Sequence, residues 1–177
     1  MQKYCGKIGL KTNYIRPKKL STNNSTMYSG ICHALNWLHK NKKKTFDAVL
    51  LLQPTSPLRD IKELKLAISQ FKKKNIKSLI SVTKMIEHPY ECIRYSKKRW
   101  KYIVENPKKN VGAGRQTYKE NFYFIDGSFY IAKTKFLIKN KGFLNKNFTK
   151  IFVQKRKWPI DINDPDDLIV ADAFLKA

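Results

Sequence analysis

The sequence has 177 residues, with 37 Lys and Arg against 13 Asp and Glu, a formal net charge of +24. That length suits one domain with its own core, and an apolar share of 42% predicts a folded chain rather than a disordered one. Three scattered cysteines without a CxxC pair argue against a disulfide framework or a zinc site, and no apolar run approaches the ~18 residues of a membrane span.

The basic excess suits an anionic partner, either nucleic acid or a phosphorylated small molecule. Drift toward Lys and Asn in an AT-rich genome gives the same composition. The runs Lys42-Lys43-Lys44, Lys72-Lys73-Lys74 and Lys97-Lys98 carry no modular nucleic-acid motif. Such runs are usually solvated faces. A nucleic-acid binder would want aromatics interleaved with Arg on one face. Arg is scarce, so a nucleic-acid partner ranks last. The start, "MQKYCGKIGLKTNYIRP", lacks the apolar core of a secretory signal, and the unpaired cysteines suit a reducing cytoplasm.

In chain order, residues 1–20 predict a tail with a short extended piece into Arg16-Pro17. The stretch 21–26, "STNNST", offers helix caps, and Met27, Ile31, Ala34, Leu35 and Leu38 then fall on one helical face ending near Asn41. Residues 46–52 predict a strand, whose unbroken apolar run from Ala48 to Leu52 suits a parallel strand covered on both faces. Asp60 predicts an N-cap with Glu63 close to a capping box, and Ile61, Leu64, Ile68 and Phe71 continue at helical spacing. Residues 78–82 predict the next strand. Strand, helix and strand make a βαβ unit with a right-handed crossover. The stretch 87–121 is polar and predicts no regular element. Residues 122–132 are β-prone, 135–140 suit a short helix and 151–154 a strand. Asp164-Pro165-Asp166-Asp167 is a helix start, with a cap, a Pro at the first position and acids in the first turn. Leu168, Ala171 and Leu175 would carry the buried face of that helix.

One stretch, "DAVLLLQPTSPLRD" at 47–60, ends a strand in two prolines that bracket two hydroxyls. In open parallel sheets, ligands bind outside the carboxyl ends of the strands. Pro54 and Pro57 fix φ and stiffen the turn. A stiff turn holds Gln53, Thr55 and Ser56 without an ordering cost on binding. An amide and two hydroxyls match a base edge or sugar hydroxyls. Arg59 suits an anion or the cap of the next helix. On the residues alone, a plain βα loop with turn-forming residues accounts for the stretch equally well.

The segment "LLLQPTSPLR" resembles the signature of the acylneuraminate cytidylyltransferases, the CMP-sialic acid synthetases. Further stretches agree in order. "IRPKKLSTNNST" at 15–26 is similar to that family's Arg-Pro-x-x-Leu segment. "SLISVTKMIEHPY" at 78–90 resembles its next strand and His-Pro. "RQTYKENFYFIDGSFYI" at 115–131 resembles its Arg-Gln, Tyr and Asn-Gly-x-Phe-Tyr region. "WPIDINDPDDL" at 158–168 is similar to its Asp-Ile-Asp segment before the last helix. The resemblance covers essentially the whole chain.

It implies a three-layer α/β/α sandwich with a mixed, mostly parallel sheet, and a homodimer as the assembly. It implies a reaction of CTP with an acidic nine-carbon sugar, giving a CMP-sugar and pyrophosphate for surface glycan biosynthesis, with Mg²⁺ as cofactor. By the same likeness Asp161 would be a catalytic metal ligand, with Asn163 in the place of a second Asp. Arg115 would pair with the sugar carboxylate or a phosphate, since a guanidinium binds such anions bidentately. Gln53, Thr55, Ser56, Arg16, Gln116, Tyr123 and Asp126 would contact substrate. Gly127 would let the chain come close to the sugar. Asp126 stands where the family often has Asn, which implies a different substrate or a role in orienting Arg115. Asn23 likewise replaces a frequent Asp, and His88 reads as structural. Capping alone is the other reading of the Asp cluster at 161–167.

The likeness lacks one part. The family opens with a strand and a loop of the type Pro-Ala-Arg-x-Gly-Ser-Lys-Gly that holds the triphosphate, and residues 1–177 start after that point. The expectation is a single domain, 1–177, without the first strand and the basic glycine-rich loop, and with unpaired edges beside the gap. Two functions follow from that expectation: the cytidylyltransferase, or a non-catalytic remnant that binds an anion or a partner subunit.

Overall fold

A computed structural model describes residues 2–10, 12–105, 120–155 and 160–176. The helices are α1 (Gln2–Lys7), α2 (Met27–Lys42), α3 (Ile61–Lys73), α4 (Thr134–Asn140) and α5 (Pro165–Lys176), and the strands are β1 (Ala48–Leu51), β2 (Ser78–Lys84), β3 (Ile93–Ser96), β4 (Arg99–Tyr102), β5 (Tyr123–Lys133) and β6 (Thr149–Val153). The main sheet has the order β1-β5-β2-β6. Strand β5 is antiparallel to both β1 and β2, and β6 is parallel to β2. The sheet is therefore mixed. Three of its four strands share a direction, while two of its three pairings are antiparallel.

Two apolar clusters cover its two faces. On one, Leu64, Ala67 and Phe71 of α3 pack on Leu79, Phe129, Ile131 and Phe152. On the other, Phe136 and Leu137 of α4, with Phe143, pack on Ile80, Val82 and Ala132, and Tyr28, Ile31 and Cys32 of α2 close over them. Adjacent residues of β2 serve opposite clusters because side chains alternate along a strand. The three-layer arrangement follows. Phe129 is 1% exposed and meets Phe152 edge-on at 5.7 Å, a pairing worth about 0.5–1.5 kcal/mol beyond burial.

Several details differ from the sequence reading. β1 is an edge strand, with Leu50 exposed, instead of a strand covered on both faces. β1 and β2 run in parallel but are not neighbours, because β5 lies between them. An apolar groove of about 940 Å³ follows the start of β1, walled by Phe46, Leu50, Ile68, Phe71 and Ile131. The tail contains a short helix, α1, and the supposedly irregular middle contains the β3–β4 hairpin. Its loop is the pair Lys97-Lys98, both at positive φ (51° and 60°), as a two-residue primed turn requires. Two lysines give no composition signal for such a turn. In α5 only Ala171 is buried, while Leu168 and Leu175 face outward. In α2, Met27 is exposed and Tyr28 packs in its stead.

Phe129→Ala should lower the free energy of unfolding by about 3–5 kcal/mol, the usual cost of emptying an aromatic site in a core. Urea denaturation of the variant measures it, and a loss below 1 kcal/mol would mean that the two-phenylalanine contact is not central to the core.

Candidate functional site

The carboxyl ends of β1, β2 and β6 lie together, because these strands share a direction. The loop 53–59 leaves β1 there, and the segment leading to Asp161 leaves β6 there. β5 crosses the same end in the opposite sense. Between the pairs Ile80↔Tyr130 and Val82↔Ile125, β2 contributes the single residue Ser81 while β5 contributes residues 126–129. This bulge takes Asp126, Gly127 and Ser128 out of the ladder, and Gly127 supplies the positive φ of 72° that it needs. Bulges of this kind re-aim side chains.

Asp126 is turned inward and is 2% exposed. Its Oδ1 accepts from Ser81 Oγ at 2.5 Å and from Ser128 N at 2.9 Å. Its Oδ2 accepts from Thr83 Oγ1 at 2.7 Å and from Gln154 Nε2 at 2.5 Å. Sequence likeness put this carboxylate on the wall of a sugar pocket. The bulge turns it into the protein, where four donors occupy it.

The β1 loop rests on the bulge. Ser56, 2% exposed, donates from Oγ to the Asp126 carbonyl at 3.3 Å. Its hydroxyl is thus committed to the backbone, in contrast to the expected contact with ribose or base. A Cβ on Gly127 would meet Gln53 Oε1 at 2.5 Å and Ser56 Oγ at 3.0 Å. The space freed by this glycine is filled by the end of the Gln53 side chain. Arg59 donates from Nε to the Ser128 carbonyl at 2.5 Å and also to the Gln53 carbonyl. It locks both ends of the turn, and burial pulls its pKa below the ordinary value. Asp60 caps α3 through Lys62 N and Glu63 N at 2.7 and 3.2 Å. Glu63 does not complete a capping box. It accepts from Lys155 N at 3.0 Å, tying α3 to the chain leaving β6.

The Asp161 segment meets this loop directly. Ile162 N donates to the Thr55 carbonyl at 2.7 Å. The nearby acids divide cleanly. Asp164 Oδ1 accepts from Asp166 N and Asp167 N at 3.0 and 3.2 Å, and Asp167 Oδ2 accepts from Asn163 N and Asp164 N at 2.8 and 3.1 Å. Those two carboxylates form the reciprocal cap of α5. Asp161 stands outside it. Its Oδ1 is buried and has no hydrogen-bond partner among the described residues. Its Oδ2 accepts from Asn163 Nδ2 at 3.2 Å.

A buried carboxylate oxygen left open in this way fits a hard cation, because Mg²⁺ takes one or two carboxylates and fills its other positions with water and substrate phosphates. Asn163 donates from its amide nitrogen to Asp161, which holds the two side chains expected at the metal position side by side. Among the described residues no group of three His, Cys, Asp or Glu gathers around a metal position.

The remaining candidates scatter. Tyr123 opens β5 and is 40% exposed. The guanidinium of Arg16 lies across Gly30 of α2, where a Cβ would meet its Cζ at 3.1 Å. Arg115 and Gln116 fall outside the described residues. Asn23 is exposed. The His88 ring packs on Tyr90 and Phe122 at 4.8 and 5.0 Å, and its Nδ1 accepts from Tyr90 N at 3.3 Å. Among the described residues, Arg16, Asn23, His88 and Tyr123 do not line the large groove beside β1. Sequence reasoning missed Tyr130 and Gln154. Tyr130 follows the bulge and feels both acids of the site. The alternation of a strand that carries Asp126 was the available signal for it. Gln154 had none.

No family model matches the chain. Over 170 residues, 95% of the chain, it is 28% identical to the CMP-N,N'-diacetyllegionaminic acid synthase of Legionella pneumophila, and the match spans 70% of that protein. Over 155 residues, 88% of the chain, it is 24% identical to the N-acylneuraminate cytidylyltransferase of Streptococcus agalactiae serotype III, spanning 35% of that protein. The chain is thus similar to acylneuraminate cytidylyltransferases over most of its length. These relatives are nucleotidyltransferases by name, and the mixed α/β sheet is compatible with such a fold. Among the described residues no helix is long and apolar enough to cross a membrane.

Burial first, then the charges of Asp126 and Asp161, raise the Tyr130 phenol above its ordinary pKa. A raised folded pKa contributes stability that is whole below the unfolded value, about 10, and is lost as pH climbs through the folded value. Tyr130→Phe should therefore flatten part of the alkaline fall in melting temperature. An unchanged alkaline slope would separate Tyr130 from the two acids.

Proposed function

We propose that this chain carries the sugar side and the metal carboxylate of a cytidylyltransferase that joins CMP from CTP to an acidic nine-carbon sugar. The anomeric hydroxyl of the sugar attacks the α-phosphorus. The new P–O bond forms as the bond to the β-phosphate oxygen breaks, pyrophosphate leaves with that electron pair, and the hydroxyl proton is released to water or to the departing pyrophosphate. The observation that carries the reading is the meeting of the two segments. Gln53, held over Gly127, and Asp161, with one open oxygen, are joined through the bond from Ile162 N to the Thr55 carbonyl at 2.7 Å.

In this reading Gln53 offers its amide to hydroxyls of sugar or nucleotide. The prolines and Arg59 keep that amide in place before substrate arrives, so binding need not order it. Thr55 contacts the nucleotide side, and Tyr123 flanks the sugar. Arg115 and Gln116 bind the substrate anions, and Arg16, whose guanidinium lies against Gly30 of α2, meets the nucleotide. Asp161 would hold Mg²⁺, with Asn163 hydrogen-bonded behind it. The ion, when bound, supplies neutralisation of phosphate charge. Catalysis of this type is positioning and charge stabilisation. The product serves surface glycan biosynthesis. The reaction belongs in the cytoplasm, where the free thiols Cys5, Cys32 and Cys92 stay reduced. A homodimer is the assembly proposed for it.

The test is release of pyrophosphate from CTP with Mg²⁺ and N-acetylneuraminate or a legionaminate as acceptor. Asp161→Ala should abolish Mg²⁺-dependent turnover. Gln53→Ala should raise KM for a substrate about tenfold, the scale of one lost hydrogen bond, with an unchanged melting temperature. Full turnover in the Asp161 variant would remove that carboxylate from the site, and a collapse in stability of the Gln53 variant would make that side chain architectural.

A further inference from the structure

The site has two halves that arrive from opposite edges of the sheet. The Gln53 loop follows β1 at one edge, and the Asp161 segment follows β6 at the other. The loop, and Gln154 at the exit of β6, touch one residue of the central strand β5. Ser56 of the loop donates to the Asp126 carbonyl at 3.3 Å. Gln154, the first residue after β6, donates to the Asp126 carboxylate at 2.5 Å and to Ser128 Oγ at 3.1 Å. Ser81 and Thr83 of β2 fix the same carboxylate from below. Beyond these anchors, Ile162 N reaches the Thr55 carbonyl at 2.7 Å, where the halves meet.

We propose that Asp126 is a positioning residue that sets the separation between the Gln53 loop and the Asp161 segment, through Ser56 on one side and Gln154 on the other. A buried carboxylate suits this work. Its two oxygens accept from several donors at once, and leaving any donor unpaired at 2% exposure is costly, so the donors hold one geometry. The carboxylate touches no substrate. Its effect is transmitted through the bulge, because Asp126 fixes Gly127, and Gly127 is the floor on which Gln53 lies. Asn at this position keeps one acceptor oxygen. Its amide nitrogen is accommodated if Gln154 turns its amide and Thr83 rotates its hydroxyl. The role therefore depends on shape and hydrogen bonding more than on charge.

The role in substrate handling rests on the cytidylyltransferase reading, but the geometry is tested without it. The amide of Ile162 reports the junction, and the amide of Leu79, in β2 between its two neighbouring strands, reports global unfolding. In native-state hydrogen exchange on the whole chain, Asp126→Ala should speed exchange at Ile162 by about tenfold or more relative to Leu79. Asp126→Asn should restore most of the protection. Where the alanine variant fails to fold, Gln154→Ala and Ser56→Ala each cut one arm and should each speed Ile162 selectively. A uniform rise at both amides, or unchanged exchange at Ile162, would overturn the positioning role. If turnover is found, Asp126→Ala should lose kcat/KM while Asp126→Asn keeps most of it. Equal loss in both variants would overturn the shape-based role. A protein with no turnover leaves the exchange result to decide, so failure of the enzymatic reading and failure of this inference stay separate.

Discussion

A carboxylate taken out of water costs several kcal/mol unless its oxygens are fully hydrogen-bonded. Asp126 meets that condition with donors from β2, from its own strand and from the exit of β6. The requirement organises one end of the molecule. It explains why β5 bulges opposite Ser81, since a regular ladder would not bring Asp126 and Ser128 to one point. It also explains the glycine beside it, whose positive φ and missing Cβ let the chain turn and let Gln53 lie on the backbone.

From that anchor the polar groups of the site separate into two kinds. Ser56, Arg59, Glu63, Asp126, Asp164 and Asp167 are engaged by backbone or by one another, and they build the shape. Asp161 is left with a buried oxygen that has no hydrogen-bond partner among the described residues, and Gln53 is set against Gly127 by packing. Pre-set groups with open valences are what a positioning mechanism for phosphoryl transfer needs, because the chemistry asks for orientation and charge neutralisation more than for covalent help. The proposed enzyme is read from this division together with the relatives, none of which reaches 30% identity among those described above.

Much of the fold was legible from the sequence. The helices after Thr26, Asp60 and Asp164 start where side-chain oxygens cap them, because a capping signal is local. The apolar runs at β1, β2 and β5 marked strands correctly. Their order was not legible, since pairing is non-local and an apolar run does not say which neighbour covers it. β1 therefore read as a covered strand although it lies at the sheet's edge. The hairpin at Lys97-Lys98 was invisible for a different reason, as its turn adopts positive φ without the residues that favour it. In the site, the place of the Gln53 loop followed from the rule about carboxyl ends of strands, while the place of Asp161 beside it was implied by the family likeness. The inward turn of Asp126 followed from neither, because a three-residue shift in register leaves no trace in periodicity.

Convergence of the two segments on one ligand is measured most directly with Mn²⁺, which shares the oxygen preference of Mg²⁺ and broadens nearby NMR signals. Added with CTP to the isotope-labelled chain, it should broaden the amides of Thr55 and Ser56 together with those of Asp161, Ile162 and Asn163. The amides of Ser78 and Lys133, at the far end of the sheet, should stay sharp. Broadening of one segment without the other, or of neither, would contradict a shared site.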